Sequence, residues 1–204
     1  MSLVIITQPT DPVVSLDEVK AHLRVDHDDD DVEIAALINA AITEFEDPNL
    51  GWLGRSISER ELELRVDAFP HHNAYPRMFV LPTGPLLIGT VGDDTYDFSV
   101  KYDDADGVEQ TLADSVYRVL DAHTARPFIS LKTGQSWPAT TRCEPQSVRV
   151  RFWAGYPADD SRLEAFKAAV KLHVEMIYDG DSPRQDKLRE SINALLQPYR
   201  VYSL

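Results

Sequence analysis

Asp26, His27, Asp28, Asp29, Asp30 and Asp31 place five carboxylates and an imidazole in one unbroken run, the first place to look for a metal. A cation needs oxygens converging from several directions, and consecutive Asp residues at the start of a helix point them apart. The run therefore reads as a helix N-terminus, with one Asp capping free amides and the others favouring the positive end by roughly 0.3–1 kcal/mol each. A second stretch, Asp103-Asp104-Ala105-Asp106-Gly107, has the look of a calcium loop. Its third position is Ala105 and its sixth is Val108, where an acid and a glycine are required. Asp106-Gly107 reads instead as a hairpin turn.

Nucleophiles fare no better. Gly134-Gln135-Ser136-Trp137-Pro138 has Pro138 where a nucleophile elbow needs its second glycine, and no helical pattern follows. His71 and His72 are adjacent, with no cysteine or third histidine near them, and read as a solvated loop rather than a zinc site. His22 and His173 fall inside helical patterns as packed or partly exposed residues. Cys143, the only cysteine, reads as an idle thiol in a chain that forms no internal disulfide. A glycine-rich phosphate loop and a dinucleotide fingerprint are both missing. The expectation is a protein that is not an enzyme, with no catalytic residues, no metal and no cofactor; a hydrolase using Ser136 is the weaker alternative.

The elements that position these residues emerge from hydrophobic periodicity. Ser15 and Glu18 have capping-box spacing, and Leu16, Val19 and Leu23 share a helical face behind them. Ile34, Leu37, Ile38, Ala41, Ile42 and Phe45 form a second stripe that ends near Pro48. From Glu59 to Trp153 the period is two: Leu62, Leu64 and Val66 alternate with charged residues, as do Tyr96, Phe98, Val100 and Tyr102, and then Val148, Val150 and Phe152. Turn signals lie between them at Pro82-Thr83-Gly84-Pro85, Gly92-Asp93-Asp94, Asp106-Gly107 and Gly134. Such strands predict an antiparallel sheet or small barrel with one polar face.

The helical period then returns. Ser161 and Glu164 repeat the capping-box spacing ahead of Leu163, Phe166, Val170, Val174 and Ile177, with Ala169, Leu172 and Met176 widening the face. Ser182 reads as an N-cap with Pro183 at the first helical position, and Leu188, Ile192, Leu195 and Leu196 form the last stripe until Pro198 stops it. The expected fold class is α+β: a four-helix core with an antiparallel β-rich insertion between helices 2 and 3. Residues 1–58 form the first helical pair, 59–155 the inserted β domain, 156–197 the second helical pair, and 198–204 an extended tail.

Composition sets the outer limits. The 204 residues carry 20 Lys and Arg against 34 Asp and Glu, a net charge of −14. That field repels polyanions and argues against a protein that grips DNA by neutralising phosphates. No apolar run approaches the roughly 18 residues of a membrane helix. The N-terminus has no basic residue ahead of its short apolar run, so no secretory signal is expected.

Five segments resemble a known family, in that family's order. They are residues 15–26 (SLDEVKAHLRVD), 102–112 (YDDADGVEQTL), 134–138 (GQSWP), 148–156 (VRVRFWAGY) and 196–200 (LQPYR). Together they are similar to tailed-phage head–tail connector (adaptor or neck) proteins of the prophage and gene-transfer-agent branch.

The resemblance implies a virion structural protein, made in the bacterial cytoplasm and lodged between the capsid portal and the tail. It implies a homo-oligomeric ring, commonly of twelve subunits, whose partners are the portal protein and a tail-terminator or other neck protein. DNA passes through such a ring without specific binding, and no membrane is involved. The segment with which the family reaches the portal maps here onto Pro198, Tyr199, Arg200, Val201, Tyr202, Ser203 and Leu204; Asp28, Asp29, Asp30 and Asp31 are candidates to face the channel. A monomeric protein-binding module is the alternative.

Overall fold

A computed structural model describes residues 1–7, 12–47, 51–70, 77–89, 96–141, 144–180 and 183–201. The chain divides into two compact units, one of residues 1–8 and 59–155, the other of residues 9–58 and 156–204.

The first unit is built of antiparallel strands. In chain order these are β1 (Ser2–Thr7), β2 (Arg60–Val66), β3 (Met78–Val80), β4 (Leu86–Leu87), β5 (Ser99–Asp103), β6 (Glu109–Thr111), β7 (Tyr117–Leu120), β8 (Phe128–Leu131) and β9 (Val148–Ala154). One sheet runs β1-β2-β9-β5-β6, with β4 also paired to β9; a second runs β3-β8-β7. β1 departs from the expected layout, because residues 1–8 join this unit rather than the first helical pair. Its apolar run Leu3, Val4, Ile5, Ile6, β-branched at the last three, lies antiparallel against β2, with Leu3 opposite Leu64.

The period-two pattern sorts the two faces of the larger sheet. Leu62, Leu64, Val100, Val148, Val150 and Phe152 are fully buried. The opposite face carries a ladder of alternating charge across β2, β9, β5 and β6. Arg151 reaches Glu63 at 2.9 Å, Glu63 also holds Arg65 at 2.7 Å, and Arg149 bridges Asp103 at 2.6 Å and Glu109 at 3.0 Å. The expected polar face is present, but not all of it is in water: Glu63 is buried and is kept ionised by its two guanidinium partners.

The β5–β6 hairpin turns as the sequence predicts, with Gly107 at φ 79°. Asp104 organises it: one carboxylate oxygen accepts from the amides of Asp106 and Val108 and the other from the Gln110 side chain. These backbone and amide donors hold the carboxyl below its ordinary pKa.

The second unit holds helices α1 (Leu16–Leu23), α2 (Asp31–Glu46), α3 (Leu163–Tyr178) and α4 (Gln185–Leu196), followed by a 3-10 turn at Gln197–Tyr199. Among the described residues, four helices and two antiparallel sheets make the fold class α+β. The Ser15–Glu18 capping box forms in full. Val19, Ile34, Ile38, Ala41, Phe45, Phe166, Ala169, Val170, Val174, Ile192 and Leu196 close one core. Phe45 sits at its centre, edge-on to Phe166 and Trp52 at 6.1 Å each.

Three details of the helices differ from expectation. No capping box forms at Ser161: Arg162 stands at the N-cap position of α3, no side chain caps the helix, and Asp160 accepts the Arg162 amide at 2.8 Å just ahead of it. Ile177 is 43% exposed, and His173 takes the buried position on that face of α3. Asp30 occupies the N-cap position of α2 without capping it through its side chain. Ser182 lies outside the described residues, as do His71, His72, Cys143 and the Gly92-Asp93-Asp94 turn.

Candidate functional site: the C-terminal segment and the acidic loop

Pro198 does not break the chain into an extended tail. It sits at the start of the 3-10 turn, where a missing N–H leaves no bond unmade, and the backbone becomes extended only at Arg200. Tyr199, Arg200 and Val201 are each tied to the helical unit. Tyr199 packs against the core, and its hydroxyl donates to the Arg162 carbonyl at 2.9 Å. The Arg200 guanidinium lies 5.2 Å over the Trp52 ring, and the Val201 amide donates to the Leu53 carbonyl at 2.8 Å. Gly54, at φ 66°, lets the chain approach: a Cβ there would stand 3.2 Å from the Val201 carbonyl oxygen. Residues 198–201 are thus folded onto their own core, while Tyr202, Ser203 and Leu204 lie outside the described residues.

Beside this root, Tyr156 is flanked by two arginines. Arg55 donates to the Tyr156 hydroxyl at 2.5 Å, and Arg162 lies 4.2 Å from the ring centroid. Asp160 grips the Arg162 guanidinium at two nitrogens, which raises the arginine pKa and lowers that of the aspartate. Tyr, Trp and Arg are the residue types that dominate binding energy at protein interfaces, and they are gathered here around Trp52, Tyr156 and Tyr199.

The acidic loop is organised by two neighbours. Lys20 bridges Asp28 at 2.8 Å and Asp31 at 2.6 Å, and these bonds raise the ammonium pKa and lower that of Asp28. The Tyr178 hydroxyl donates to Asp30 at 2.6 Å, which explains why that carboxylate leaves its helix uncapped. Asp28 and Asp29 point outward, with side chains 89% and 94% exposed.

The two regions belong to opposite ends of α3. Arg162 immediately precedes its first residue and Tyr178 is its last; 16 residues at about 1.5 Å per residue separate them by about 24 Å.

The remaining candidates do not converge on these regions. Ser136 is exposed beyond Gly134, which adopts φ 82°, while its neighbour Trp137 stacks on Phe69 at 4.8 Å. His22 pairs with Glu175 at 2.8 Å, and Glu175 also meets Arg184 at 3.3 Å. Among the described residues no group of three or more His, Cys, Asp or Glu could hold a metal ion, and no helix is long and apolar enough to cross a membrane. Glu46 is the functional-type residue that sequence reading passed over. Its carboxylate, 1% exposed, accepts the amides of Ile57 and Ser58 and the Ser58 hydroxyl.

Comparison with known proteins places this fold. Residues 13–63 match the family model of phage gp6-like head-tail connector proteins. Three solved chains share the fold over 100% of this chain and 97% of their own. One, from a virion of a native gene transfer agent (GTA) particle, superposes with a TM-score of 0.72 at 22% identity. Another, from the neck of a native GTA particle computed with C12 symmetry, gives 0.70 at 22%. A third, from the neck of an empty GTA particle computed with C6 symmetry, gives 0.67 at 24%. No curated protein sequence matches.

Proposed function

We propose that this chain is a structural head–tail connector of a tailed phage or phage-like particle, acting by assembly and docking rather than by turnover. The supporting observation is agreement along the whole chain. A fold shared end to end with chains from gene-transfer-agent neck structures coincides with a connector-family match over residues 13–63, the part that holds α1, the acidic loop and α2.

In this reading copies of the chain form a ring, of twelve subunits, beneath the portal, and the tail or the next neck protein docks on it. Residues 198–204 are the segment that docks on the portal: Tyr199, Arg200 and Val201 root it on the helical unit, and Tyr202, Ser203 and Leu204 extend the contact. A short anchor repeated around a ring binds tightly through effective concentration even when each copy binds weakly. Asp28, Asp29, Asp30 and Asp31 line the channel, where an acidic wall keeps passing DNA from sticking. Their distance from the docking root, about the length of α3, lets one subunit serve both surfaces.

The test is an electron-microscopy reconstruction of this protein mixed with its portal. A ring of this subunit seated on the portal is expected; a portal vertex without it would overturn the reading.

A further inference from the structure

Between the end of α2, the outer part of α3, α4 and the root of the C-terminal segment lies a groove of about 460 Å³ within the helical unit. Its apolar wall is made by Phe45, Trp52, Met176 and Ile192. His173 also lines it, only 6% exposed, its ring edge-on to Phe45 at 5.1 Å and its Nε2 3.4 Å from a Glu44 oxygen. The volume is in the range of sites that seat small molecules or single large side chains.

The charge around the groove runs against that of the chain. Arg189 and Arg200 line it against one carboxylate, Glu44, in a protein of net charge −14. Arg189 is 63% exposed and its nearest acid, Asp186, stands at 3.8 Å with a side chain almost wholly in water, so that pair holds the guanidinium weakly. Arg200 and Trp52 belong both to this groove and to the root of the docking segment. The groove is therefore continuous with the proposed docking surface and offers an aromatic wall, an arginine pair and a buried polar ring, features that concentrate binding energy.

We propose that this groove seats an acidic peptide segment of the portal on which residues 198–204 dock, an aromatic or large aliphatic side chain entering against Phe45, Trp52, Met176 and Ile192 while a flanking carboxylate meets Arg189 and Arg200. The inference rests on the docking reading and adds a partner chemistry to it. The neighbouring protein contributes an acidic, aromatic-bearing strand or loop end, and the surface acts as more than a perch for the C-terminal segment.

The test has two arms, both on the full chain. In the first, the synthetic peptide acetyl-Glu-Asp-Phe-Asp-Glu-amide is titrated into isotope-labelled protein, with a Phe-to-Ser peptide and an all-Lys-flanked peptide as controls. Shifts confined to the Trp52 indole, the Asn193 side-chain amide and Met176 are expected, weakened about tenfold by Arg189→Glu, which alters an exposed residue and leaves the fold intact. No shifts at millimolar peptide, or equal shifts with the Lys peptide, would overturn the proposal. In the second arm, Arg189→Glu is compared with deletion of residues 198–204 for joining heads to tails. Both failing supports groove and docking segment together. Deletion failing while Arg189→Glu joins normally defeats the groove and leaves the docking reading standing, and normal joining by both defeats the docking reading itself.

Discussion

Glu46 and Ser58 are joined twice: the Ser58 amide donates to one carboxylate oxygen of Glu46 at 2.7 Å, and the Ser58 hydroxyl donates to the other. The Ile57 amide shares the first oxygen at 2.8 Å. A carboxylate at the last residue of α2 thereby fixes residues 57 and 58, the end of the segment that belongs to the helical unit before the chain continues into the strands. The Tyr156 amide donates to the Ile57 carbonyl at 2.8 Å, so the returning chain is registered against the same two residues.

Removing that carboxylate strands buried donors. Glu46→Ala leaves two amides and a hydroxyl without their acceptor, and each costs about 1–3 kcal/mol when left unsatisfied. The expected result is a loss of at least about 3 kcal/mol in urea unfolding. Glu46→Gln, which keeps one accepting oxygen, falls between Ala and the natural residue. A Glu46→Ala protein as stable as the parent would show that water replaces the carboxylate.

How much of this was legible in the sequence depended on whether the determinant was local. The Ser15–Glu18 box and the stripe from Ile34 to Phe45 were readable because both ends of each interaction lie within one or two helical turns. β1 was not: six residues with no alternation show a preference for strand only through their partner, and that partner is some sixty residues away. The Ser161 box failed because the helix begins at Leu163, so Arg162 rather than Ser161 stands at its N-cap position, and Asp160 holds the Arg162 amide just ahead of it. Glu46 was invisible because an acid at a helix end ordinarily faces water, and only the chain fold brings Ile57 and Ser58 to it. At the candidate site, the aromatic and arginine content of residues 199–200 was readable, but their return onto Trp52, Leu53 and Arg162 was a tertiary fact.

The folded-back root makes two truncations differ. Deleting residues 202–204 leaves the Tyr199–Arg162 and Val201–Leu53 hydrogen bonds and the Arg200–Trp52 contact in place, so it is expected to cost less stability than the longer deletion. Deleting residues 198–204 removes the Tyr199–Arg162 and Val201–Leu53 hydrogen bonds and is expected to cost about 1–3 kcal/mol. Both are expected to block head-to-tail joining, measured as infectious or gene-transferring particles. If the shorter truncation joins normally, the docking contact ends at Val201.

His173 gives the helical unit a dependence on pH. Burial holds its imidazole below the ordinary value of 6.5, against a smaller upward pull from Glu44. As pH falls through that value the unfolded chain takes up a proton that the folded state refuses, so stability is highest above it and declines on acidification. The paired carboxylates Asp28, Asp103 and Glu63 are shifted down from values already below 5, and so act in a more acidic window. Unfolding free energy is therefore expected to fall between about pH 7.5 and 5.5, and His173→Phe is expected to flatten that fall. An equal slope in the two proteins would assign it to another group.

The exposed members of the acidic loop provide the charge test. In an Asp28→Asn, Asp29→Asn double variant, Lys20 keeps its bond to Asp31 and Tyr178 keeps its bond to Asp30, so folding is expected to be unchanged. Every subunit loses two charges from the proposed channel wall. Replacing the same residues with Lys goes further, giving a basic annulus that attracts phosphates and holds DNA by counterion release. Ejection of DNA from assembled particles is therefore expected to slow in the order natural, Asn, Lys. The slowing in the Lys variant is expected to disappear at high salt, since the attraction is screened within a Debye length of about 8 Å at physiological ionic strength. Ejection rates that are equal in all three proteins at low salt would place the loop away from the DNA path, leaving its charge to serve the outer surface of the particle.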